Sequence, residues 1–196
     1  MILELPPGEF GAYLFDCDGT IADSMPLRFL AWRRALGEWG CELSEELFYA
    51  WAGRTVADII TDLNTSQGLA MPVQAVARRG EELCQEMLPR LTAVPGVLEH
   101  IEAAFGRIPF AVVSGSDRAS VTATLTALGL LGRFEVMVCA GDYPRAKPAP
   151  DPFLMAARRL GVDPRRCLVF EDADNGIQAA QAAGMAWVRV PPPGRR

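Results

Sequence analysis

The 196-residue sequence lacks the features that mark several large classes of protein. Basic residues do not outnumber acidic ones: 19 Lys and Arg stand against 24 Asp and Glu, a net charge of −5. We therefore expect no broad basic surface for nucleic acid or a membrane, so an anionic ligand must be held locally. No apolar run reaches about 18 residues and the first ten residues do not form a signal peptide, so we expect a soluble cytoplasmic protein.

Cysteine and histidine are too sparse for several kinds of site. The five cysteines are an odd number with no C-x-x-C pair, which argues against a disulfide framework and a zinc knuckle. A Ser-His-Asp triad or a His-rich metal site would depend on the single histidine, His100. What remains is an ordinary globular composition, 50% hydrophobic and 22% charged, long enough for one domain with a modest insertion. We expect it to act as a monomer.

Five short apolar runs predict strands that are buried on both faces. They cover residues 13–15, 108–113, 134–140, 167–170 and 186–190. Helical patterns over 117–129, 151–160 and 174–183 separate the last four runs and are long enough for right-handed crossovers. The alternation predicts an α/β fold with a doubly wound parallel sheet.

The long interval between the first two runs has a helical character. Apolar residues recur there at helical spacing in two stripes, one starting at Leu27 and the other at Val73, and no convincing strand is visible. The segment PRLTAVPG then ends the last helix. We predict a small α-helical cap over residues 24–92, inserted after the first strand of an α/β core formed by 1–23 and 93–196.

Polar residues and one glycine follow the predicted strands at the edge of the sheet where ligands bind in open parallel folds. In chain order they are Asp16, Asp18 and Thr20 after the first strand, Ser114, Gly115 and Ser116 after the second, Lys147 after the third, and Glu171 and Asp172 after the fourth. Four carboxylates with one lysine sum to −4 + 1 = −3, which is unstable alone. The site should protonate a carboxyl or hold a divalent cation, and all-oxygen ligands favour Mg²⁺.

Each of these residues also has a purely structural interpretation. An Asp after a strand is often a turn residue, and Thr20 could bond the loop rather than a phosphate. Ser114 could be a helix N-cap, although a hydroxyl beside the amides of a glycine turn at a helix N-terminus is a natural cradle for phosphoryl oxygens. Lys147 could be a solvated surface lysine, but its place opposite the acidic residues favours a role in the site.

Four segments together resemble the sequence motifs of the haloacid dehalogenase (HAD) superfamily, in order and in spacing. They are FDCDGT (15–20), VVSGS (112–116), AKPAPDPF (146–153) and FEDADNGIQAAQAAGM (170–185). The longer motifs resemble the β-phosphoglucomutase-like subfamily, especially bacterial sugar phosphatases of the fructose-1-phosphatase type. The resemblance covers nearly the whole chain and implies a small phosphorylated metabolite as substrate.

The resemblance also implies residue roles. Asp16 would be the nucleophile that forms an aspartyl-phosphate, and Asp18 the general acid and then the base. Mg²⁺ would be held by the Asp16 carboxylate, the Asp18 backbone carbonyl and Asp172, with Glu171 binding directly or through water. The phosphoryl oxygens would contact Ser114 and Lys147. Arg54 falls in the family's specificity loop, where it would grip the substrate or only cap a helix.

One departure bears on the reaction outcome. Where mutases and several sugar phosphatases of the subfamily carry a histidine, five residues after Asp23, this chain has Arg28, which cannot exchange a proton near neutral pH. Hydrolysis is therefore favoured, with a β-phosphoglucomutase as the alternative. A phospho-receiver signalling domain is a more remote alternative, since it would need neither Asp18 nor the insertion.

Overall fold

The computed structural model describes residues 3–51 and 55–191 and contains one five-stranded sheet within those ranges. The strands are β1 (Ala12–Phe15), β2 (Phe110–Val113), β3 (Val136–Val138), β4 (Cys167–Glu171) and β5 (Ala186–Arg189). The helices are α1 (Met25–Gly37), α2 (Glu45–Ala50), α3 (Val56–Gln67), α4 (Val73–Glu86), α5 (Pro95–Ala104), α6 (Arg118–Ala127), α7 (Asp151–Leu160) and α8 (Asp174–Ala182).

The strand order is β3-β2-β1-β4-β5, and all four pairings are parallel. The central strand β1 pairs with β2 on one side and β4 on the other, with Phe15 opposite both Val112 and Phe170. Because the strands are parallel, their carboxyl ends meet at one edge of the sheet. The predicted doubly wound α/β fold is confirmed.

Helices cover both faces of the sheet because successive strand residues point to opposite sides. On one face, Tyr13 and Phe15 pack with residues of α5 and α6, and the Phe15 ring stacks on Phe170 with centroids 4.6 Å apart. On the other face, Leu14 packs with residues of α7 and α8, including the fully buried Phe153. A stacked aromatic pair adds about 0.5–1.5 kcal/mol beyond its buried area, so these layers fix the sheet that carries the site.

The chain divides into two compact units. One comprises Met1–Ser24 and Leu91–Arg196, and the other Met25–Arg90. In the first unit, the segments on either side of the insertion pair antiparallel: Ala22 lies opposite Ala93, and the Asp23 amide donates to the Thr92 carbonyl at 2.9 Å. The inserted unit therefore leaves and rejoins the sheet domain through neighbouring backbone segments.

The inserted unit has its own hydrophobic core. It is built from α1–α4, with Phe29, Trp32 and Leu36 of α1 among its buried side chains. Gly80 of α4 lies against the Trp32 indole, where a Cβ would come within 2.6 Å of the ring. The close packing of α1 and α4 thus depends on a glycine. No helix in the described ranges combines the length and apolar character that a membrane span requires.

Candidate active site

The predicted site residues come together at the carboxyl edge of the sheet because each follows a parallel strand. Asp16 directly follows β1, Ser114 follows β2, and Glu171 is the last residue of β4. Lys147 lies between β3 and α7 and reaches back to the centre of this edge. Asp16, Ser114 and Glu171 are buried, so their polar groups depend on partners within the protein.

Lys147 links the two acidic segments. Its ammonium donates to Asp16 Oδ1 at 2.7 Å, to Glu171 Oε2 at 2.8 Å and to the Val113 carbonyl at 3.0 Å. It also lies 4.9 Å from the centre of the Phe153 ring, whose face attracts a cation. Burial disfavours the charged ammonium, but Asp16 and Glu171 outweigh that cost and raise the pKa of Lys147 above its usual value. Lys147 is therefore a fixed positive charge.

Three carboxylates converge beside this lysine. One oxygen each of Asp16, Glu171 and Asp172 lies within 4.8 Å of the others. Burial raises the pKa of Asp16 well above its usual value, opposed by Lys147 and reinforced by Glu171 and Asp172. Burial and the charge of Glu171 raise the pKa of Asp172 to about 6. For Asp16 and Asp172, burial and the neighbouring carboxylates thus outweigh the single ammonium and disfavour the charged form relative to water.

These residues fit a Mg²⁺ ion. Carboxylate oxygens are the donors that a hard divalent cation prefers, and a bound cation would restore the ionised state that burial disfavours. Space for Asp172 depends on Gly19, which has φ +87°; a Cβ there would come within 2.4 Å of Asp172 Oδ2. Asp16 and Asp172 would hold the ion. The nearby Glu171 already accepts hydrogen bonds from Lys147 and from the Ala173 amide at 3.1 Å.

The Asp18 carboxylate has different surroundings from these three. Ser24 Oγ donates to its Oδ1 at 2.7 Å, and Ser116 Oγ donates to its Oδ2 at 2.9 Å. Two hydroxyl groups therefore orient both oxygens of Asp18. Such a group is suited to carry a proton to and from a reacting oxygen.

The turn after β2 presents a hydroxyl and backbone groups. Ser114 Oγ accepts the Ser116 amide at 3.0 Å, and a Cβ on Gly115 would meet no atom within 4 Å. The N-cap of α6 is Asp117, whose carboxylate accepts the Ala119 and Ser120 amides, so neither Ser114 nor Ser116 serves that purpose. Ser114 and Gly115 remain predicted phosphate contacts.

Thr20 and Arg54 are the two remaining residues that the sequence predicts to contact the substrate. The buried Thr20 hydroxyl donates to Asp172 Oδ1 at 3.1 Å, which orients that carboxylate. Its contact with a phosphate stays a prediction. Arg54 lies outside the described residues.

The loop after β4 is held by residues that the motifs did not single out. The guanidinium of Arg189, at the end of β5, donates to the Asp172 carbonyl at 3.1 Å and to the Asp174 carboxylate. Asp174 is not the cap of α8, because Ala173 is the N-cap and no side chain caps it. Asp174 is mainly a partner of Arg189 because its exposed carboxylate faces β5.

Ser24 and Tyr143 were also missed by the sequence reasoning. Ser24 contacts Asp18 through the turn at Gly19, and the Tyr143 hydroxyl donates to the Ser114 carbonyl at 3.2 Å. A serine six residues after an aspartate offered a weak signal for the first contact. The second joins two loops whose paths the sequence does not reveal.

A buried carboxylate, a lysine and a further carboxylate pair at this edge of a parallel sheet define a site for phosphoryl chemistry. Residues 13–190 match the family described as haloacid dehalogenase-like hydrolase. The chain therefore belongs to that family, and it is a phosphatase of the HAD type, as the motifs predicted.

Individual relatives agree with this assignment. Over 185 residues the chain is 39% identical to fructose-1-phosphate phosphatase YqaB of Escherichia coli, covering 93% of this chain and 97% of that protein. It is 30% identical over 178 residues to the phosphorylated carbohydrates phosphatase of Thermotoga maritima, with 89% and 82% covered. The crystal structure of CbbY from Rhodobacter sphaeroides in complex with phosphate has a TM-score of 0.79 at 25% identity, covering 91% of this chain and 84% of that one.

Proposed function

We propose that the protein hydrolyses the phosphate monoester of a small sugar phosphate, with Mg²⁺ and through an aspartyl-phosphate on Asp16. The observation that carries the proposal is the Asp16 carboxylate, held 2.7 Å from the Lys147 ammonium beside Glu171 and Asp172. This arrangement supports a carboxylate nucleophile at Asp16, among groups that can neutralise a phosphate. Phosphoryl transfer depends chiefly on such positioning and neutralisation.

In the first step, an oxygen of Asp16 attacks phosphorus and the bond from phosphorus to the sugar oxygen breaks. Asp18 gives its proton to the departing oxygen, so the sugar leaves as a neutral alcohol. Ser24 and Ser116 orient the Asp18 carboxyl for this transfer. Lys147, with Ser114 and the Gly115 amide, contacts the phosphoryl oxygens.

In the second step, Asp18 takes a proton from water, and the water oxygen attacks phosphorus. The bond between phosphorus and Asp16 breaks, which restores the carboxylate and releases inorganic phosphate. Mg²⁺, held by Asp16, Asp172 and the Asp18 carbonyl, with Glu171 directly or through water, would offset the charge that builds on the phosphoryl group.

The nature of the substrate rests on two relatives. One is named a fructose-1-phosphate phosphatase and the other a phosphorylated carbohydrates phosphatase, which supports a sugar phosphate as the substrate class. We assign substrate selection to the inserted unit Met25–Arg90, acting as a cap. We also propose that the protein acts as a monomer in the cytoplasm, where its five cysteines, an odd number with no C-x-x-C pair, would remain reduced.

Phosphate release from a panel of sugar phosphates tests the proposal, starting with fructose 1-phosphate. The wild-type protein should release phosphate with Mg²⁺ and stop when the metal is chelated. Asp16→Asn should lower turnover by at least about 10³-fold because an amide is a poor nucleophile. Turnover of Asp16→Asn at a tenth of the wild-type rate would contradict the covalent mechanism.

A further inference from the structure

The segment that carries Lys147 has no regular secondary structure to hold it. Between β3 and α7, residues 139–150 form turns, bends and irregular backbone. Lys147 must nevertheless keep its ammonium within 2.7 Å of Asp16 and 2.8 Å of Glu171. A loop of this kind samples open states unless other contacts fix it.

Asp142 supplies such a contact at the start of the loop. Its Oδ2 accepts the Cys139 amide at 3.1 Å, Arg118 Nη2 at 2.7 Å and Arg159 Nη1 at 3.2 Å. Both arginines also donate to the Met137 carbonyl, at 3.2 Å and 3.0 Å. One carboxylate thus ties the loop to the end of β3, the start of α6 and the last turn of α7.

The two arginines make this carboxylate hard to replace. Two guanidinium groups surround one carboxylate, so its removal leaves two like charges close together without their shared counter-charge. Hydrogen bonds to an ionised group are also stronger than neutral ones. In agreement, the Cys139 amide and the arginines hold the pKa of Asp142 below its usual value.

A second anchor lies one residue further along. Tyr143, whose hydroxyl donates to the Ser114 carbonyl, joins the loop to the turn after β2. Beyond it, Arg145 donates to both carboxylate oxygens of Asp151 at the start of α7, at 3.1 and 2.8 Å, and its side chain is 71% exposed, so solvent screens this pair. The contacts that join the loop to β3, α6 and the turn after β2 therefore lie at Asp142 and Tyr143, before Lys147.

We infer that Asp142, clamped by Arg118 and Arg159, is a positioning residue that keeps the Lys147 ammonium on Asp16. Its importance for turnover rests on the proposed function, but its effect on Lys147 does not. Loss of the Asp142 charge should free the loop and let Lys147 leave Asp16 without altering the nucleophile or the predicted metal ligands.

Lys147 is the only lysine in the sequence, which allows a direct measurement. An amine-acylating reagent can modify one ε-amino group, and mass spectrometry of the peptide distinguishes it from the α-amine. The wild-type side chain is 9% exposed and should react slowly. In Asp142→Asn we expect the acylation rate of Lys147 to rise about fivefold or more, because the loop opens locally more often.

Two controls separate positioning from general destabilisation. Arg145→Gln removes an ion pair from the same loop and should leave the acylation rate unchanged. Val121→Ala shortens a buried side chain of α6 and should lower the thermal stability without raising the acylation rate in native buffer. Asp142→Glu, which keeps the charge, should restore a good part of the protection.

The acylation rate decides the proposal, and phosphatase activity is a separate readout. An unchanged rate in a folded Asp142→Asn protein would overturn the positioning role, as would an equal increase in Val121→Ala matched for stability. If acylation rises in Asp142→Asn and the wild-type protein hydrolyses no phosphate ester, the positioning role of Asp142 holds and the proposed function fails. Where both hold, kcat/KM should fall in Asp142→Asn as the acylation rate rises.

Discussion

The carboxylates of the site have different surroundings, and for Asp16 and Asp172 these surroundings shift the pKa. Burial is the chief cause that raises the pKa of Asp16 and that of Asp172, the latter to about 6. Two serine hydroxyls donate hydrogen bonds to Asp18. For Asp172, the folded protein keeps a proton at a pH where the unfolded chain, with a pKa of about 3.9, has lost it. This group therefore favours the metal-free folded state at low pH, and that contribution is lost as the pH rises through about 6.

A thermal scan with and without Mg²⁺ should reveal this linkage. At pH 7.5 Asp172, with its pKa of about 6, is largely ionised, so we expect a rise in Tm of about 5 °C at roughly 100 times Kd. At pH 5 the ion must displace the proton on Asp172, so the rise should be much smaller. An equal rise at both values would contradict the assignment of Asp172.

Two aspartates in the same loop provide the control for this measurement. Asp172→Ala removes a predicted ligand and should abolish the Mg²⁺-dependent rise in Tm and most activity. The exposed Asp174 pairs only with Arg189 among the contacts described above, so Asp174→Ala should lower stability by less than about 1 kcal/mol. Its response to Mg²⁺ should match that of the wild type. The opposite ranking would mean that the ligands are misassigned.

At the scale of an element, the start of α8 is built around the Glu171 side chain. A Cβ on Gly176 would come within 1.9 Å of Glu171 Oε2, so the helix approaches β4 closely only because this residue is glycine. Gly176→Ala should displace Glu171 from Lys147, lower the free energy of unfolding by about 1–3 kcal/mol and reduce activity. Denaturant unfolding and phosphate release measure the two effects.

Gly132→Ala is the matched substitution for this experiment. A Cβ at Gly132 would meet nothing within 4 Å, so the variant should retain wild-type stability and activity. If Gly176→Ala behaves like Gly132→Ala, the close approach of α8 does not hold Glu171 in place.

The sequence predicted the elements better than their ends and faces. The strand predicted over 134–140 is only Val136–Val138, and the helix predicted over 117–129 ends earlier because Gly129 adopts φ +68°. In α1 the buried residues include Phe29 and Trp32, whereas Leu27, where the predicted stripe starts, is only half-buried. Periodicity identifies an amphipathic helix, but packing against α4 decides which residues of a largely apolar segment are buried.

The site was predictable to the extent that it follows the strands. Parallel strands bring their carboxyl ends to one edge, so Asp16, Lys147 and Glu171 could be placed together before their distances were known. The contacts of Ser24, Tyr143 and the Asp142 cluster could not be predicted, because they depend on the paths of irregular loops. These loop contacts orient the side chains of the site, whereas the motif residues supply the groups proposed to react.

At the scale of the whole molecule, the outcome of the reaction depends on the fate of the aspartyl-phosphate. A mutase must shield it from water while the sugar reorients, and Arg28, in the first turns of α1, is a fixed charge where the subfamily often has histidine. We expect phosphate release and no net conversion of β-glucose 1-phosphate to glucose 6-phosphate, even with the bisphosphate as primer. Primer-dependent glucose 6-phosphate formation faster than phosphate release, measured in a coupled assay, would support the mutase.

The backbone pairing beside the insertion makes the α1–α4 unit removable. Ala22 and Ala93 lie opposite each other in an antiparallel bridge, at a distance of about 5 Å between Cα atoms. A short glycine linker from Ser24 to Leu91 can therefore replace Met25–Arg90 and keep the contact of Ser24 with Asp18. The remaining chain keeps both hydrophobic layers and the whole sheet, and we expect it to fold as a minimal domain. We expect such a protein to hydrolyse p-nitrophenyl phosphate, a small activated ester, but not to discriminate among sugar phosphates. Removal of the inserted unit would then separate catalysis from substrate selectivity.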